Sequence, residues 1–157
     1  MIAPRIKQAY MKAGGSPSDI YFRIASDQLM GANSILLAER KAAQNKAPAY
    51  LYRFDWLSPA LGGRLRAPHG VEMPFVFDNT EEAGFVITGG GPGPAKLGAR
   101  MRSAWAAFAE TGNPNTPKLP RWNPYDTSTR NTMVFNDEPK SVNDPDSAER
   151  QAMQLFR

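Results

Sequence analysis

Apolar residues recur at helical spacing over two stretches of the chain. In the first, Ser16-Pro17-Ser18-Asp19 predicts a helix start, because serine caps helices and proline suits the first helical position. Helical structure is expected to continue toward Asn45, with a break near Ser26, along the apolar positions Leu29, Ala32, Leu36 and Ala43. The second stretch predicts a helix over 96–110 with a core-facing stripe of Leu97, Met101, Ala104, Trp105 and Phe108.

Alternating residues predict one main strand over 49–56. The aromatic side chains Tyr50, Tyr52 and Phe54 fall on one side of it. A short strand is expected over 131–135, and Asp144-Pro145 predicts the start of a last helix whose apolar face holds Ala148, Ala152, Leu155 and Phe156. The order of helices and strands indicates the α/β class, in a single segment over 1–157 with no internal repeat.

Two stretches are rich in helix and strand breakers. The segment 58–70 contains Pro59, Gly62, Gly63, Pro68 and Gly70, which predicts a loop that follows the carboxyl end of the main strand. The glycines and prolines of 88–94 predict a flexible surface connection.

Composition and charge exclude several classes of protein. The chain has 157 residues, 41% hydrophobic and 22% charged, which is typical of a globular domain, and no apolar run approaches the roughly 20 residues of a membrane span. Its 19 basic and 15 acidic residues are scattered, so nucleic-acid binding is not predicted. Without cysteine and with a single histidine, neither a thiolate nor a multi-histidine metal site is possible, and no cofactor is indicated. The amino-terminal residues contain no recognisable targeting signal, so a cytoplasmic and a secreted location both stay open.

The single histidine, His69, is the first candidate for chemistry. Imidazole titrates near neutral pH and can carry a proton on either nitrogen, which suits a general base. His69 lies on the loop that follows the main strand, where open α/β sheets place reactive groups. A purely structural histidine remains the alternative on these grounds.

Four segments in order resemble the C-terminal part of type-B carboxylesterases. They are Tyr50-Leu51-Tyr52-Arg53-Phe54-Asp55, Ala67-Pro68-His69-Gly70-Val71-Glu72-Met73-Pro74-Phe75-Val76-Phe77, Met101-Arg102-Ser103-Ala104-Trp105-Ala106-Ala107-Phe108-Ala109-Glu110-Thr111-Gly112-Asn113-Pro114-Asn115, and Trp122-Asn123-Pro124-Tyr125. The third looks like the family's W-x-x-F-A-x-T-G-x-P-N segment. The fourth is similar to its W-P-x-Y turn, with one residue inserted or substituted.

The resemblance implies an α/β-hydrolase fold with a serine, an acid and a histidine in that chain order. His69 falls on the family's catalytic histidine. The sequence contains no G-x-S-x-G elbow, so the resemblance places the nucleophile, the acid and the oxyanion glycines upstream of Met1. The chain is therefore expected to be the C-terminal segment of a serine carboxylic-ester hydrolase, inactive alone.

Four further residues are candidates for supporting roles. We interpret Asp27 as a buried or capping carboxylate rather than the triad acid, and Glu72 as a residue that pairs with a nearby cation or the loop backbone. Phe75 and Phe77 either line an acyl or alcohol pocket or pack in the core.

The resemblance also implies partners. The complete enzyme would take a small-molecule ester. This chain would associate with the missing N-terminal part of the fold or with itself, since the apolar faces of its helices would otherwise be exposed to solvent. A non-catalytic adhesion or binding module and a truncated, inactive product are the alternative functions.

Overall fold

The computed structural model describes residues 3–82 and 84–154. Its helices and strands, in chain order, are α1 Ala3–Lys12, α2 Pro17–Ser26, a π-helical turn Asp27–Gly31, α3 Ala32–Ala43, β1 Leu51–Phe54, a 3-10 turn Ala60–Gly63, α4 Met73–Val76, α5 Phe85–Thr88, α6 Pro92–Thr111, β2 Asn131–Phe135, β3 Lys140–Asn143 and α7 Ser147–Met153. The chain divides into two compact units. Unit 1 draws on Met1–Ala49, Tyr125–Arg130 and Asp144–Arg157, and unit 2 on Tyr50–Pro124 and Asn131–Asn143.

The start of α2 confirms the predicted capping signal in unit 1. The Ser16 hydroxyl accepts the Asp19 backbone N–H at 3.2 Å, while the Asp19 carboxylate accepts the Ser16 N–H at 3.0 Å. This reciprocal pair satisfies two donors at the helix start. The predicted break near Ser26 is the π-helical turn, after which the helix continues to Ala43.

The predicted apolar stripe of this helical region is wrong at two positions. Leu29 is 72% exposed and Ala43 is also exposed, whereas Ala38 is buried. A π-helical turn closes its hydrogen bonds over five residues instead of four, so the residues that follow are rotated relative to a regular 3.6-residue repeat. A cluster of buried side chains in unit 1 instead consists of Ile6, Tyr10, Ala152 and Met153.

Helix α7 confirms the predicted last helix, but its apolar face differs from the predicted one. Ala152 is buried, whereas Ala148 is exposed. Leu155 and Phe156, also assigned to that face, lie outside the described residues. Helix α7 packs on α1, a helix that the sequence pattern did not predict.

Unit 2 contains a three-stranded sheet in the order β1-β2-β3. Strands β1 and β2 are parallel, with Leu51 opposite Thr132 and Phe54 opposite Phe135. Strands β2 and β3 are antiparallel. Every residue of β2 is buried, as expected for the central strand. Both predicted strands are present, and β3 adds a third that was not predicted.

Helix α6 confirms the predicted second helix but begins earlier than expected. The segment 88–94 is not simply a flexible connection, since Thr88 ends α5 and Pro92 begins α6. Prolines are tolerated there because the first helical turn needs no backbone N–H donors. The helix ends at Gly112, whose φ of +75° and N–H bond to the Phe108 carbonyl at 2.8 Å form a left-handed cap.

The core of unit 2 lies between α6 and the sheet. Its buried members are Phe75, Leu97, Met101, Ala104, Trp122, Met133 and Phe135. Trp105 is half-buried against this core, whereas Phe108 is 47% exposed, so the assignment of Phe108 to the core is wrong. The Trp122 indole N–H donates to the Leu51 carbonyl at 3.2 Å, which fixes the tryptophan against β1. In the described part of the chain, no helix combines the length and hydropathy of a membrane span.

Candidate functional site

His69 is exposed on the segment between β1 and α4 in unit 2. The segment contains the 3-10 turn Ala60–Gly63 and is otherwise irregular, as its glycines and prolines predicted. Within residues 3–82 and 84–154, no group forms a hydrogen bond or an ion pair with the His69 imidazole. The ring is therefore open to a partner from outside this part of the chain.

Two successive turns fix the backbone around His69. The Val71 N–H donates to the Pro68 carbonyl at 3.1 Å, and the Met73 N–H donates to the Gly70 carbonyl at the same distance. Gly70 has a φ of +81°, a conformation that glycine adopts without steric cost. Val71 is only 3% exposed and anchors the turns in the protein.

Phe75 and Phe77 have different environments, although they are two residues apart. Phe75 is fully buried, and its ring packs against Phe54 at 5.0 Å and Trp56 at 5.5 Å between centroids. Phe75 thus takes the core position that was the alternative to a pocket, and it anchors α4 just after the His69 turns. Phe77 is 67% exposed, so a role in a pocket stays a prediction for this residue.

Glu72 is half-buried and lies close enough to Tyr52 to affect its electrostatics. Burial, and then the negative charge of Glu72, raises the pKa of the Tyr52 hydroxyl. Within the described ranges, the Glu72 side chain forms no hydrogen bond or ion pair. The expected pairing of Glu72 with a nearby cation is therefore not seen among the described residues, and the role of Glu72 stays a prediction.

Asp27 lies in unit 1, at the start of the π-helical turn. Its carboxylate accepts a hydrogen bond from the fully buried Tyr10 hydroxyl at 2.5 Å. A Cβ on Gly31 would clash with the Asp27 Oδ1 atom, so a larger residue there would require the Asp27 side chain to shift. The Asp27 carboxylate is thus hydrogen-bonded within unit 1, and both its structural role and its exclusion from the catalytic acid role stay predictions.

Ser58 supports the His69 loop in a way that the sequence did not indicate. It is 1% exposed, and its backbone N–H donates to the Arg66 carbonyl at 2.7 Å. Its hydroxyl donates to the Ile87 carbonyl at 2.6 Å. No motif marks such a serine, because both acceptors are backbone carbonyls brought near it only by folding.

The chemistry that the described residues can supply at this site is proton transfer at His69. His69 can accept and return a proton, yet among the described residues no carboxylate is hydrogen-bonded to it. The described ranges also hold no cluster of three or more His, Asp or Glu side chains that could bind a metal ion.

Comparison with known proteins identifies the fold around this histidine. The family model described as "Carboxylesterase family" matches residues 2–154. The para-nitrobenzyl esterase of Bacillus subtilis (strain 168) is 33% identical over 142 residues, covering 87% of this chain and 29% of that protein. Phenmedipham hydrolase of Pseudarthrobacter oxydans is 30% identical, covering 86% of this chain and 28% of that protein.

Solved structures agree with the sequence relatives. Carboxylesterase EST55 of Geobacillus stearothermophilus is similar with a TM-score of 0.79 and 32% identity, over 95% of this chain and 31% of that one. A thermophilic PNB esterase is similar with a TM-score of 0.76 and 28% identity, over 97% of this chain and 30% of that one. The chain thus spans less than a third of the length of these relatives and has the architecture of part of an α/β-hydrolase fold.

Proposed function

Because this chain belongs to the carboxylesterase family, we propose that it is the part of a serine carboxylic-ester hydrolase that supplies the catalytic histidine, His69. The observation that carries the proposal is the exposed imidazole, without a described partner, between the β1 strand and α4. In an ester hydrolase, the imidazole must be accessible to the serine nucleophile and to the acid that completes the active site.

The proposed reaction is acyl transfer in two steps. A serine hydroxyl from another part of the fold attacks the ester carbonyl while the imidazole takes its proton, and the imidazole then returns that proton to the departing alcohol. Water repeats the sequence on the acyl-enzyme and releases the acid. A carboxylate that binds the second ring nitrogen would keep His69 in the correct tautomer.

Alone, this chain is expected not to hydrolyse esters. Its sequence contains no G-x-S-x-G elbow, so it offers no serine in the strained turn that the family uses as nucleophile. Without oxyanion donors the transition state also loses what is usually its largest electrostatic stabilisation.

The proposed partner is the remainder of a carboxylesterase fold. Near the His69 segment, unit 2 exposes large apolar side chains that a complete fold would cover, namely Leu57 at 61%, Leu61 at 68%, Met73 at 51% and Phe77 at 67% exposure. Strand β1 is also an edge strand, with β2 as its neighbour in the described sheet. A second copy of this chain on the same surfaces is the competing outcome.

A complementation assay tests the proposal. The chain is mixed with, or fused to, the portion of the Bacillus subtilis esterase that it does not match, and hydrolysis of a p-nitrophenyl ester is measured. We expect no activity from either part alone, activity from the combination, and a loss on the order of 10⁴- to 10⁶-fold with His69→Ala.

Arg64→Ala is the matched control, because Arg64 is an exposed residue of the same loop and its side chain is not expected to take part in the reaction. Its combination with the complementing portion should keep wild-type activity. Activity that survives His69→Ala would disprove the role given to this histidine. If the combination folds and binds the ester but does not hydrolyse it, the result would instead favour a binding module.

A further inference from the structure

We propose that Ser58 is a positioning residue for His69, an inference that rests on the proposed role of that histidine. Ser58 follows the end of β1 and is 1% exposed. Its backbone N–H binds the Arg66 carbonyl at 2.7 Å, and its hydroxyl binds the Ile87 carbonyl at 2.6 Å. One buried residue therefore connects the segment that carries His69 to helix α5.

The backbone hydrogen bond closes a strained loop. Between Ser58 and Arg66, Leu61 has a φ of +52°, and Arg66 itself has a φ of +55°. Such left-handed conformations are unfavourable for residues with a side chain and persist where the surroundings hold them. His69 lies three residues beyond Arg66. The closure at Ser58 thus determines where the chain leaves this loop and turns toward the imidazole.

The hydroxyl attaches this closed loop to α5, which is itself held in place. The Thr88 hydroxyl donates to the Thr80 carbonyl at 2.9 Å, so the end of α5 is bound to the preceding segment. A Cβ on Gly89, which has a φ of +82°, would lie 2.6 Å from the Pro59 ring. The loop and the end of α5 are therefore in close contact beside Ser58.

Both hydrogen-bonding capacities of the Ser58 hydroxyl are used. It donates to Ile87 and accepts the Ala60 backbone N–H at 3.2 Å. Removing it would leave the Ile87 carbonyl and the Ala60 N–H without this partner in a partly buried place, which favours movement of the loop. Since no described group holds the His69 imidazole, its position follows the loop backbone, and a general base misplaced by about 1 Å can lose on the order of 100-fold in rate.

The single histidine of the chain allows a direct test by NMR. In the 157-residue chain carrying isotope-labelled histidine, one imidazole signal reports on His69 alone. We expect Ser58→Ala to shift or broaden that signal. Ser103→Ala is the matched control, because the Ser103 hydroxyl also donates to a backbone carbonyl, that of Arg100 at 2.8 Å, but within α6. It should leave the His69 signal unchanged.

A second variant covers the case in which Ser58→Ala does not fold by circular dichroism. Ser58→Cys keeps a side chain of similar size with a weaker donor and introduces the sole thiol of the chain. It should disturb the His69 signal in the same direction. An unchanged His69 signal in the folded variant would overturn the positioning role.

Kinetics of the complemented esterase provide the functional measurement. Ser58→Ala is expected to lower kcat by about 10- to 100-fold with KM changed by less than about twofold, because the base is misplaced while ester binding is retained. An unchanged kcat would also overturn the positioning role. If His69→Ala kept full activity, the proposed function would fail instead, and the NMR result would still decide whether Ser58 positions the ring.

Discussion

Tyr10 and Asp27 form a hydrogen-bonded polar pair in unit 1. Tyr10 is fully buried and donates its hydroxyl proton to Asp27 at 2.5 Å. Burial raises the pKa of Tyr10 well above its usual value, and the hydrogen bond to Asp27 and the charges of Asp27 and Glu149 raise it further, while Arg23 opposes them. The folded environment of Tyr10 therefore favours its protonated form.

We expect Tyr10→Phe to lower the free energy of unfolding by about 1–3 kcal/mol at neutral pH, because it leaves the Asp27 carboxylate without its buried donor. Urea unfolding followed by circular dichroism measures this loss. Tyr21→Phe is the matched control, because Tyr21 is 67% exposed, and it should change stability by less than about 0.5 kcal/mol. Equal effects of the two substitutions would contradict the assignment.

The same pair predicts a dependence on alkaline pH. A folded pKa above the unfolded value of about 10 means that the contribution of Tyr10 is complete below pH 10 and is lost as the pH rises further. The wild-type free energy of unfolding should fall above pH 10, with up to about 1.4 kcal/mol per pH unit from this group. Tyr10→Phe should show a shallower fall, and parallel curves for the two proteins would argue against the predicted shift.

Residues of the candidate site differ in how far the sequence could reveal them. His69 was found because its chemistry is distinctive and because the surrounding segment resembles a known family. The sequence gives no sign of the contacts of Ser58, since its partners at Arg66 and Ile87 are backbone carbonyls that only folding brings near it. Glycine is unfavourable inside a helix on propensity alone, and only the fold shows that a Cβ on Gly31 would meet the Asp27 side chain.

At the scale of elements, close packing between α4 and α6 depends on one glycine. A Cβ on Gly98 would lie 3.2 Å from the Phe75 carbonyl oxygen and 2.9 Å from the Arg102 Nη1 atom. The arginine end can move, but the Phe75 backbone belongs to α4 and is fixed by a fully buried ring. The contact therefore has little room for a larger side chain.

We expect Gly98→Val to destabilise the chain by about 1–3 kcal/mol, because its branched side chain must push α4 away from α6. Thermal and urea unfolding measure the effect. Ala106→Val is the matched control on the same helix, at an exposed position, and should cost only a few tenths of a kcal/mol through helix propensity. A tolerated Gly98→Val would show that the two helices can separate freely.

Elements with their own local signal were predicted, and those that depend on a partner were not. The sequence of β1 alternates, that of α2 begins with a capping serine, and that of α6 has apolar residues at helical spacing. Strand β3 is only Lys140–Asn143, mostly polar, and its strand form comes from pairing with β2. Helix α1 was not predicted either, and its buried Ile6 and Tyr10 pack in a core shared with α7.

At the scale of the whole molecule, the helical stretch 17–43 of unit 1 leaves large apolar side chains in solvent. They are Tyr21, Phe22, Leu29, Met30 and Leu37, each 59% to 72% exposed. Scattered apolar residues are common on protein surfaces, but this many on one continuous helical stretch indicate an interaction surface that another part of a protein covers. Since the chain spans less than a third of its relatives, the remainder of a carboxylesterase fold is the cover we propose.

Without that cover, the chain should associate with itself through these helices. We expect its light-scattering mass to rise with concentration, and the double variant Leu29→Lys and Leu37→Lys to reduce the rise without lowering the unfolding midpoint, since both side chains are exposed. Gln28→Lys with Ser34→Lys adds the same charge at exposed polar positions of the same stretch. If this control reduces association as strongly, charge repulsion rather than loss of apolar surface is responsible, and the assignment of the surface fails.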